Sequence, residues 1–400
     1  MNPSRPMSAA DADFEGVFEG ANVGDVRGFP RVALAEAARK GPAALSATDQ
    51  FDDWRISLRR AVLAEVEAFV LARCTDTLGD CGVDTAGEVL LEFVKGGKCL
   101  RSTFMYLGWL SGAPPSEAAL SATASLELLH AFALLQDDVM DDSPSRRGLP
   151  AAHIQFERWH RQRGLSGSSR RFGESAAVLL GDLCLIWAEQ MLRDCGLSRH
   201  QLHRAWPRYD AMRTELAVGQ FADLTLDVRK LPTLDAVLNV ARLKSGNYTV
   251  RRPLEIGAAM AGCSEHTLAR LGEYGSAVGE AFQLRDDILG VFGSPGTTGK
   301  PNGGDLLERK ATSLMVAAYE LADKSTRREF GKLVDRDHLT DEDLEHWRSL
   351  IFATGAVQRI EELITDRVEI AQKALDSSGI DGPISGALAS MAGVCTKRAA

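Results

Sequence analysis

Residues 133–150 read ALLQDDVMDDSPSRRGLP, with four aspartates in six positions at the end of an apolar run and two arginines close behind. Upstream, SEAALSATASLELLHAFALLQDDVM (116–140) repeats apolar residues at spacings of three and four, the period of a helix. Pro114 and Pro115 precede it, Ser116 is placed to cap it, and Glu117 puts acid in the first turn. The aspartates therefore sit at the helix C-terminus, where the macrodipole disfavours anions. Asp137 and Asp141 share one face, a turn apart. Propensity and dipole both oppose acid here unless a cation occupies the site.

The helical period extends outward in both directions. FDDWRISLRRAVLAEVEAFVLARC (51–74), FGESAAVLLGDLCLIWAEQMLRDCG (172–196), LSRHQLHRAWPRYDAMRTELAVGQFADL (197–224) and LARLGEYGSAVGEAFQLRDDILGVFG (268–293) all carry it, the third with a kink expected at Pro207. Alternating strand patterns are almost absent. The expectation is an all-α fold over residues 49–400, with residues 1–48 as a flexible extension bearing a short helix at 31–40. Two long breaks, 142–172 and 293–309, each follow an aspartate-rich helix end and read as functional loops.

The 400 residues are 45% hydrophobic and 25% charged, which suits a globular protein, and the net charge of −9 argues against a nucleic-acid surface. Seven scattered cysteines with no CxxC pair fit a reducing, cytoplasmic setting better than a disulfide framework or zinc site. The N-terminus lacks a signal pattern. No stretch reaches the roughly 18 apolar residues of a membrane span, although an amphipathic surface contact is left open.

A second acidic site lies in FQLRDDILGVFG, where Asp286 and Asp287 occupy the last turns of another apolar helix. Carboxylates with no cysteine or histidine pair beside them suit a hard ion that keeps waters, which points to Mg²⁺. The plain alternative, a solvated acidic helix end, would serve for either site alone. Two such sites, each followed by a basic, glycine-rich stretch, favour the metal. Arg146 and Arg147 follow the first site, Lys300 follows the second in TTGKPNGGDLLERK, and Lys244 lies in LKSGNYTV. KGGKCLRS adds Lys98 and Arg101, with Gly96 and Gly97 allowing close backbone approach; Lys95 reads as a surface cation. Arginine suits bidentate phosphate oxygens and lysine acts as a point charge. Together these residues describe a cavity for two diphosphates, one bridged to carboxylates by metal and one held by cations.

D-D-x-x-D with R-R-G, F-Q-x-x-D-D, G-G-K-x-x-R and G-K-P-x-G-G-D, in that set of spacings over residues 51–395, resemble the trans-isoprenyl diphosphate synthases. The resemblance implies an isoprenoid synthase-type helical bundle around a central cavity, usually a homodimer. It implies that Asp137, Asp141 and Asp286 hold three Mg²⁺ ions on the allylic diphosphate, with Asp138 and Asp287 acting through water. Arg146, Lys244 and Lys300 would bind that same diphosphate. Lys98, Arg101, His130 and Arg147 would bind isopentenyl diphosphate. His130 lies seven residues before Asp137, two turns away on the same helix face. Gln283 and Tyr248 resemble cavity-lining residues, and Ser245 stands where the family has Thr. Phe132 and Ala133, five and four residues before the first aspartate, look like the floor of a geranylgeranyl (C20) synthase. By helix geometry alone, Leu126, Leu129 or Trp109 could form that floor instead.

The chain departs from the family pattern in five places: Gly290 for a third aspartate, Cys99 for Arg, Gln136 for His, Gly304 for Asp and Arg309 for Gly. No Ser/His/Asp or Cys/His arrangement suggests nucleophilic catalysis. The expected chemistry is ionisation of an allylic diphosphate, attack by the isopentenyl double bond and loss of a proton. A non-catalytic partner subunit would show damage at Asp137, Asp141 or Asp286, all of which are intact. A terpene cyclase would have no use for Lys98, Arg101, His130 and Arg147.

Overall fold

The Ser116 hydroxyl accepts the Ala119 N–H at 3.4 Å and opens the helix that carries the first aspartates. Such a cap contributes on the order of 1 kcal/mol. The computed structural model describes residues 48–78, 83–226, 228–293 and 303–397, all within one unit, Arg31–Ala400. The expected extension up to residue 47, its short helix, and Lys300 lie outside the described residues.

Helix α1 spans Thr48–Arg73 and passes into a short π turn at Cys74–Leu78. Helices α2 (Asp84–Val94), α3 (Leu100–Leu110) and α4 (Glu117–Met140) follow. Next come a small hairpin, α5 (Ala152–Gln162), α6 (Ser169–Arg193) and α7 (Arg199–Asp223). A single helical run covers 234–261: α8 (Leu234–Ala241), a π-wound stretch at Arg242–Arg251, and α9 (Arg252–Ala261). Helix α10 (Glu265–Phe292) carries the second aspartates. The four-residue α11 (Gly304–Leu307) leads to α12 (Ser313–Leu321), α13 (Lys324–Val334), α14 (Asp341–Ala353), α15 (Ala356–Asp376) and α16 (Gly382–Thr396).

Helix α4 packs along α6, α3 along α9, and α10 along both α15 and the π stretch. Nearly every residue of α4 from Ala119 to Leu129 is buried, which is why that segment is apolar all round rather than on one stripe. At the N-terminal end Trp54 stacks on Tyr106 with ring centroids 6.4 Å apart. At the other end Phe330, Trp347, Ile351 and Ile360 close a core against Ile288 and Val291 of α10. Each such side chain contributes roughly 1.5–3 kcal/mol when fully buried, and together they fix the helix that bears Asp286.

Two expectations need correction, the irregular break at 142–172 and the lack of a membrane-length apolar stretch. The break at 142–172 is half helix: α5 buries His153, Phe156 and His160 on one face, a periodicity diluted by the Ser-, Gly- and Arg-rich flanks. Among the described residues the strands are confined to Ser145–Arg146 and Leu149–Pro150, paired antiparallel beside the first acidic site. Helix α7 runs on across Pro207 as one element. Finally, Glu117–Met140 and Ser169–Arg193 are long and apolar enough by mean hydropathy to cross a membrane, although neither is uninterrupted. Most of the first is buried inside the protein and the two pack on each other, as core helices do.

Candidate active site

The first acidic site is a cluster of opposed charges. Arg146, on the first hairpin strand, donates its Nε to Asp138 Oδ1 at 2.8 Å and places a terminal nitrogen 3.4 Å from Asp137 Oδ2. Lys244 Nζ lies 3.3 Å from Asp137 Oδ1 and 2.7 Å from Asp223 Oδ2, at the end of α7. Burial works to raise the Asp137 carboxyl, but Lys244 and Arg146 outweigh it and hold the group below the ordinary carboxylate range. Asp138 is fully buried, and burial lifts its carboxyl above that range despite Arg146. Its Oδ2 has no hydrogen-bond partner among the described residues. Asp141 closes α4 as its C-terminal cap and accepts from Lys310 Nζ at 3.0 Å.

Lys244 reaches this cluster because α7 and the π stretch touch backbone to backbone. A Cβ on Gly219 would stand 2.4 Å from the Lys244 nitrogen, and Gly246 and Gly279 meet equally closely where the same stretch crosses α10. The π winding spans ten residues and holds Lys244, Ser245 and Tyr248. Departures of this kind from α geometry occur often at functional sites.

On α10, Asp286 is half-buried and Asp287 buried. Asp287 accepts from Gln283 Nε2 at 2.8 Å and from the Ser313 N–H at 2.9 Å, with the Ser313 hydroxyl as a third donor. Burial pushes its carboxyl up to about 6 in spite of these donors. The oxygens expected to act through water are thus engaged by protein.

A separate basic pocket lies about two turns back along α4, around His130. The Arg101 guanidinium sits 4.1 Å over the Tyr248 ring, and the His130 and Tyr248 rings are 6.2 Å apart. Arg147 donates to the Phe93 carbonyl at 3.0 Å and lies against Gly96 and Gly97, where added Cβ atoms would come within 3.2 Å of it. Gly97, Cys99 and Arg147 all have positive φ, at +123°, +49° and +54°. Burial, then Arg101, Arg147 and Arg146, push the His130 imidazole well below its usual value, so it is neutral at pH 7. A cavity of about 330 Å³ opens beside this pocket, with Lys95, Arg146, Arg147 and Gln155 in its wall. Lys98 is exposed at its edge of the sequence motif. Cys99 is buried and its thiol is pushed far up by burial, so it is no nucleophile.

Residues 84–351 match the polyprenyl synthetase family model. The chain belongs to the polyprenyl synthetase family. A geranylfarnesyl diphosphate synthase of Aeropyrum pernix is 33% identical over 298 residues, covering 73% of this chain and 87% of that protein. A geranylgeranyl diphosphate synthase of Mycobacterium tuberculosis is 31% identical over 280 residues, covering 70% and 75%. The crystal structure of a Corynebacterium glutamicum geranylgeranyl pyrophosphate synthase with isoprenyl diphosphate and magnesium superposes with a TM-score of 0.81 at 35% identity, covering 86% of this chain and 99% of that one. The all-α isoprenoid synthase fold and trans-prenyl diphosphate synthesis follow from these likenesses.

The family uses Mg²⁺, and the donor set of this synthase fits it. The acidic sites offer carboxylate oxygens, one of them a buried oxygen without a partner, and no thiolate or imidazole pair. Yet among the described residues no three acidic, histidine or cysteine side chains converge as a ready-made metal site. Asp137 and Asp141 are instead neutralised by Arg146, Lys244 and Lys310.

The sequence reading of the synthase missed several groups. Lys310 bridges Asp141 and Glu308, and burial notwithstanding, those carboxylates raise its ammonium above the usual value. Asp223 carried the signal used for Asp137, acid on the last turn of a helix, but stood alone there. Glu127, buried on α4 and bonded by the Ser102 hydroxyl at 2.6 Å, faces the basic pocket. Gln136 donates to Asp182 on α6 at 3.0 Å. Arg309, where the family has Gly, adopts φ +52°, the region that favours glycine.

Proposed function

We propose that this chain condenses isopentenyl diphosphate with an allylic prenyl diphosphate to give geranylgeranyl diphosphate (C20). The observation that carries the reading is the pairing of two chemically distinct anion sites along one helix. At the C-terminal end of α4, Asp137 is ringed by Arg146 and Lys244; two turns back on the same face, His130 stands with Arg101 and Tyr248, near Arg147. The first suits a diphosphate that arrives with metal. The second suits a diphosphate bound by cations and neutral donors only.

Asp137, Asp141 and Asp286 would hold three Mg²⁺ ions, which neutralise the leaving diphosphate when bound. Arg146 and Lys244, now turned to Asp137, hold that diphosphate, together with Lys300. The allylic C–O bond breaks and the electron pair leaves with the diphosphate. The isopentenyl double bond, held through Lys98, Arg101, His130 and Arg147, attacks the allylic cation to form the new C–C bond. A proton is then lost to the released diphosphate. Ser245, Tyr248 and Gln283 line the cavity between the two substrates, and the surrounding cations stabilise the charge that develops on the leaving diphosphate.

For chain length, Phe132 and Ala133 are half-buried, whereas Leu126, Leu129 and Trp109 are sealed in the core. Side chains that flank an accessible tunnel keep some exposure. This supports Phe132 as the floor. A C25 product is the second reading, favoured by the identity with the geranylfarnesyl synthase.

The enzyme acts as a homodimer in this reading. Leu179 and Ile186 on α6 and Val218, Phe221 and Leu224 on α7 are all exposed, Phe221 at 73%. The two helices are tied by Arg213 and Glu189 at 2.9 Å. Exposed large apolar side chains in such a row mark an interface. A monomer mass for active protein in light scattering would refute it.

The test is incubation of purified protein with labelled isopentenyl diphosphate, Mg²⁺ and each of the C5, C10 and C15 primers, with products sized by mass spectrometry. A C20 product is expected. Another length replaces the product and keeps the reaction. No condensation with any primer removes the proposal.

A further inference from the structure

The turn between α2 and α3 carries Lys98, and Arg101 follows in the first turn of α3. Nothing local holds this turn. Gly97 lies at φ +123° and Cys99 at φ +49°, and Cys99 stands at the cap of α3 without a side-chain hydrogen bond. Left-handed backbone at a non-glycine residue is unfavourable and persists only where the surroundings enforce it.

Two arginines enforce it, from elements far apart in the chain. Arg147, on the hairpin, donates to the Phe93 carbonyl at 3.0 Å. Arg59, on α1, donates its Nε to the Gly97 carbonyl at 2.6 Å. A Cβ on Gly97 would stand 3.2 Å from Arg147 Nη2 and 3.8 Å from Glu127 Oε2. Two guanidinium groups and a carboxylate therefore meet at one backbone residue, and the same three charges act on the Cys99 thiol beside it.

The two arginines have different duties. In the proposed reaction Arg147 binds substrate, and a diphosphate there competes with the Phe93 carbonyl for its donors. Arg59 grips backbone alone. It projects from a helix anchored on both sides of it by Leu58 and Val62, each 0% exposed. It also lies before residues 84–351, the stretch that matches the family model.

We infer that Arg59 is a positioning residue for isopentenyl diphosphate: its hydrogen bond to the Gly97 carbonyl fixes the turn so that Lys98 and Arg101 meet one diphosphate. This rests on the proposed function, in which those two residues bind that substrate.

The experiment separates the bond from the charge. In Arg59→Gln the side-chain amide nitrogen takes the place of Nε, so the donor stays and the charge goes. Arg59→Met keeps the apolar stem and loses both. Michaelis constants for isopentenyl diphosphate and for the allylic primer are measured on the full chain with Mg²⁺, beside calorimetric titration of isopentenyl diphosphate without metal. These constants do not depend on the fraction of active protein, so a partly unfolded variant still reports. Arg60→Met, at the exposed neighbour on α1, is the control for charge alone and is expected to change neither constant. Arg59→Met is expected to raise KM and Kd for isopentenyl diphosphate about 10-fold, and Arg59→Gln to stay within about threefold of the unaltered chain. The KM of the primer should hold in both. If the unaltered chain condenses isopentenyl diphosphate with no primer, the proposed function and this assignment fall together. If it does condense, the assignment alone falls on any of four results: Arg59→Met keeps its isopentenyl constants, the constants of both substrates rise together, Arg59→Gln is as weak as Arg59→Met, or Arg60→Met matches them.

Discussion

The Nζ of Lys310 lies 3.0 Å from Oδ2 of Asp141, joining residues 169 positions apart in the chain. Lys310 also holds Glu308 at 2.7 Å, so its charge is shared between the loop and the metal-facing helix. A fixed cation so placed stabilises the charge that develops on a leaving diphosphate. Lys310→Met is expected to lower kcat/KM for the allylic substrate by about 10²–10³, the cost of removing one preorganised charge or donor. Steady-state kinetics at saturating isopentenyl diphosphate measures it, and an unchanged value would show that Lys310 only braces the loop.

His130 gives a pH signature. Its folded pKa lies below the unfolded value of 6.5, because burial and three arginines disfavour the imidazolium. The unfolded chain therefore binds the proton first. The stability this neutral group contributes is present above pH 6.5 and is lost progressively as the pH falls from there toward the folded pKa. His130→Gln should flatten that part of the profile. Melting temperatures of both proteins at pH 7.5 and 5.5 test this, and parallel curves would sink it.

Gly219 controls the placement of Lys244. A methyl group there would collide with the Lys244 backbone nitrogen, 2.4 Å away, and neither side can yield cheaply. Gly219→Ala is expected to cost about 1–3 kcal/mol in denaturant unfolding. Activity should fall further than stability explains, because the Lys244–Asp137 pair moves.

Phe132→Ala should lengthen the product by at least one isoprene unit. Mass spectrometry of the chain-length distribution decides it. An unaltered distribution would move the floor to another residue.

Much of this was legible in the sequence because the site breaks local rules. Acid at a helix C-terminus opposes the dipole, and Asp137, Asp141, Asp286 and Asp287 all advertised themselves that way. Ser116 was readable as a cap for the same local reason. What stayed hidden depended on long-range contact. Nothing near Lys310 in sequence points to Asp141. Helix α5 was hidden by averaging composition over a stretch half of which is irregular. Lys244 was readable as a cation but not as part of a π-wound stretch, which packs closely against Gly219 on one side and Gly279 on the other.

Helix α4 carries His130 and Asp137 seven residues apart, so about 10 Å of helix rise separates the two anion sites. The spacing between the two substrates is thereby written into a rigid rod rather than into loops that could drift. A rod cannot be lengthened gradually. One inserted residue would move the histidine by about 1.5 Å and swing it by roughly 100° around the axis, away from Arg101 and Tyr248. In the proposed reaction, the separation of the two diphosphates is therefore quantised in whole helical turns.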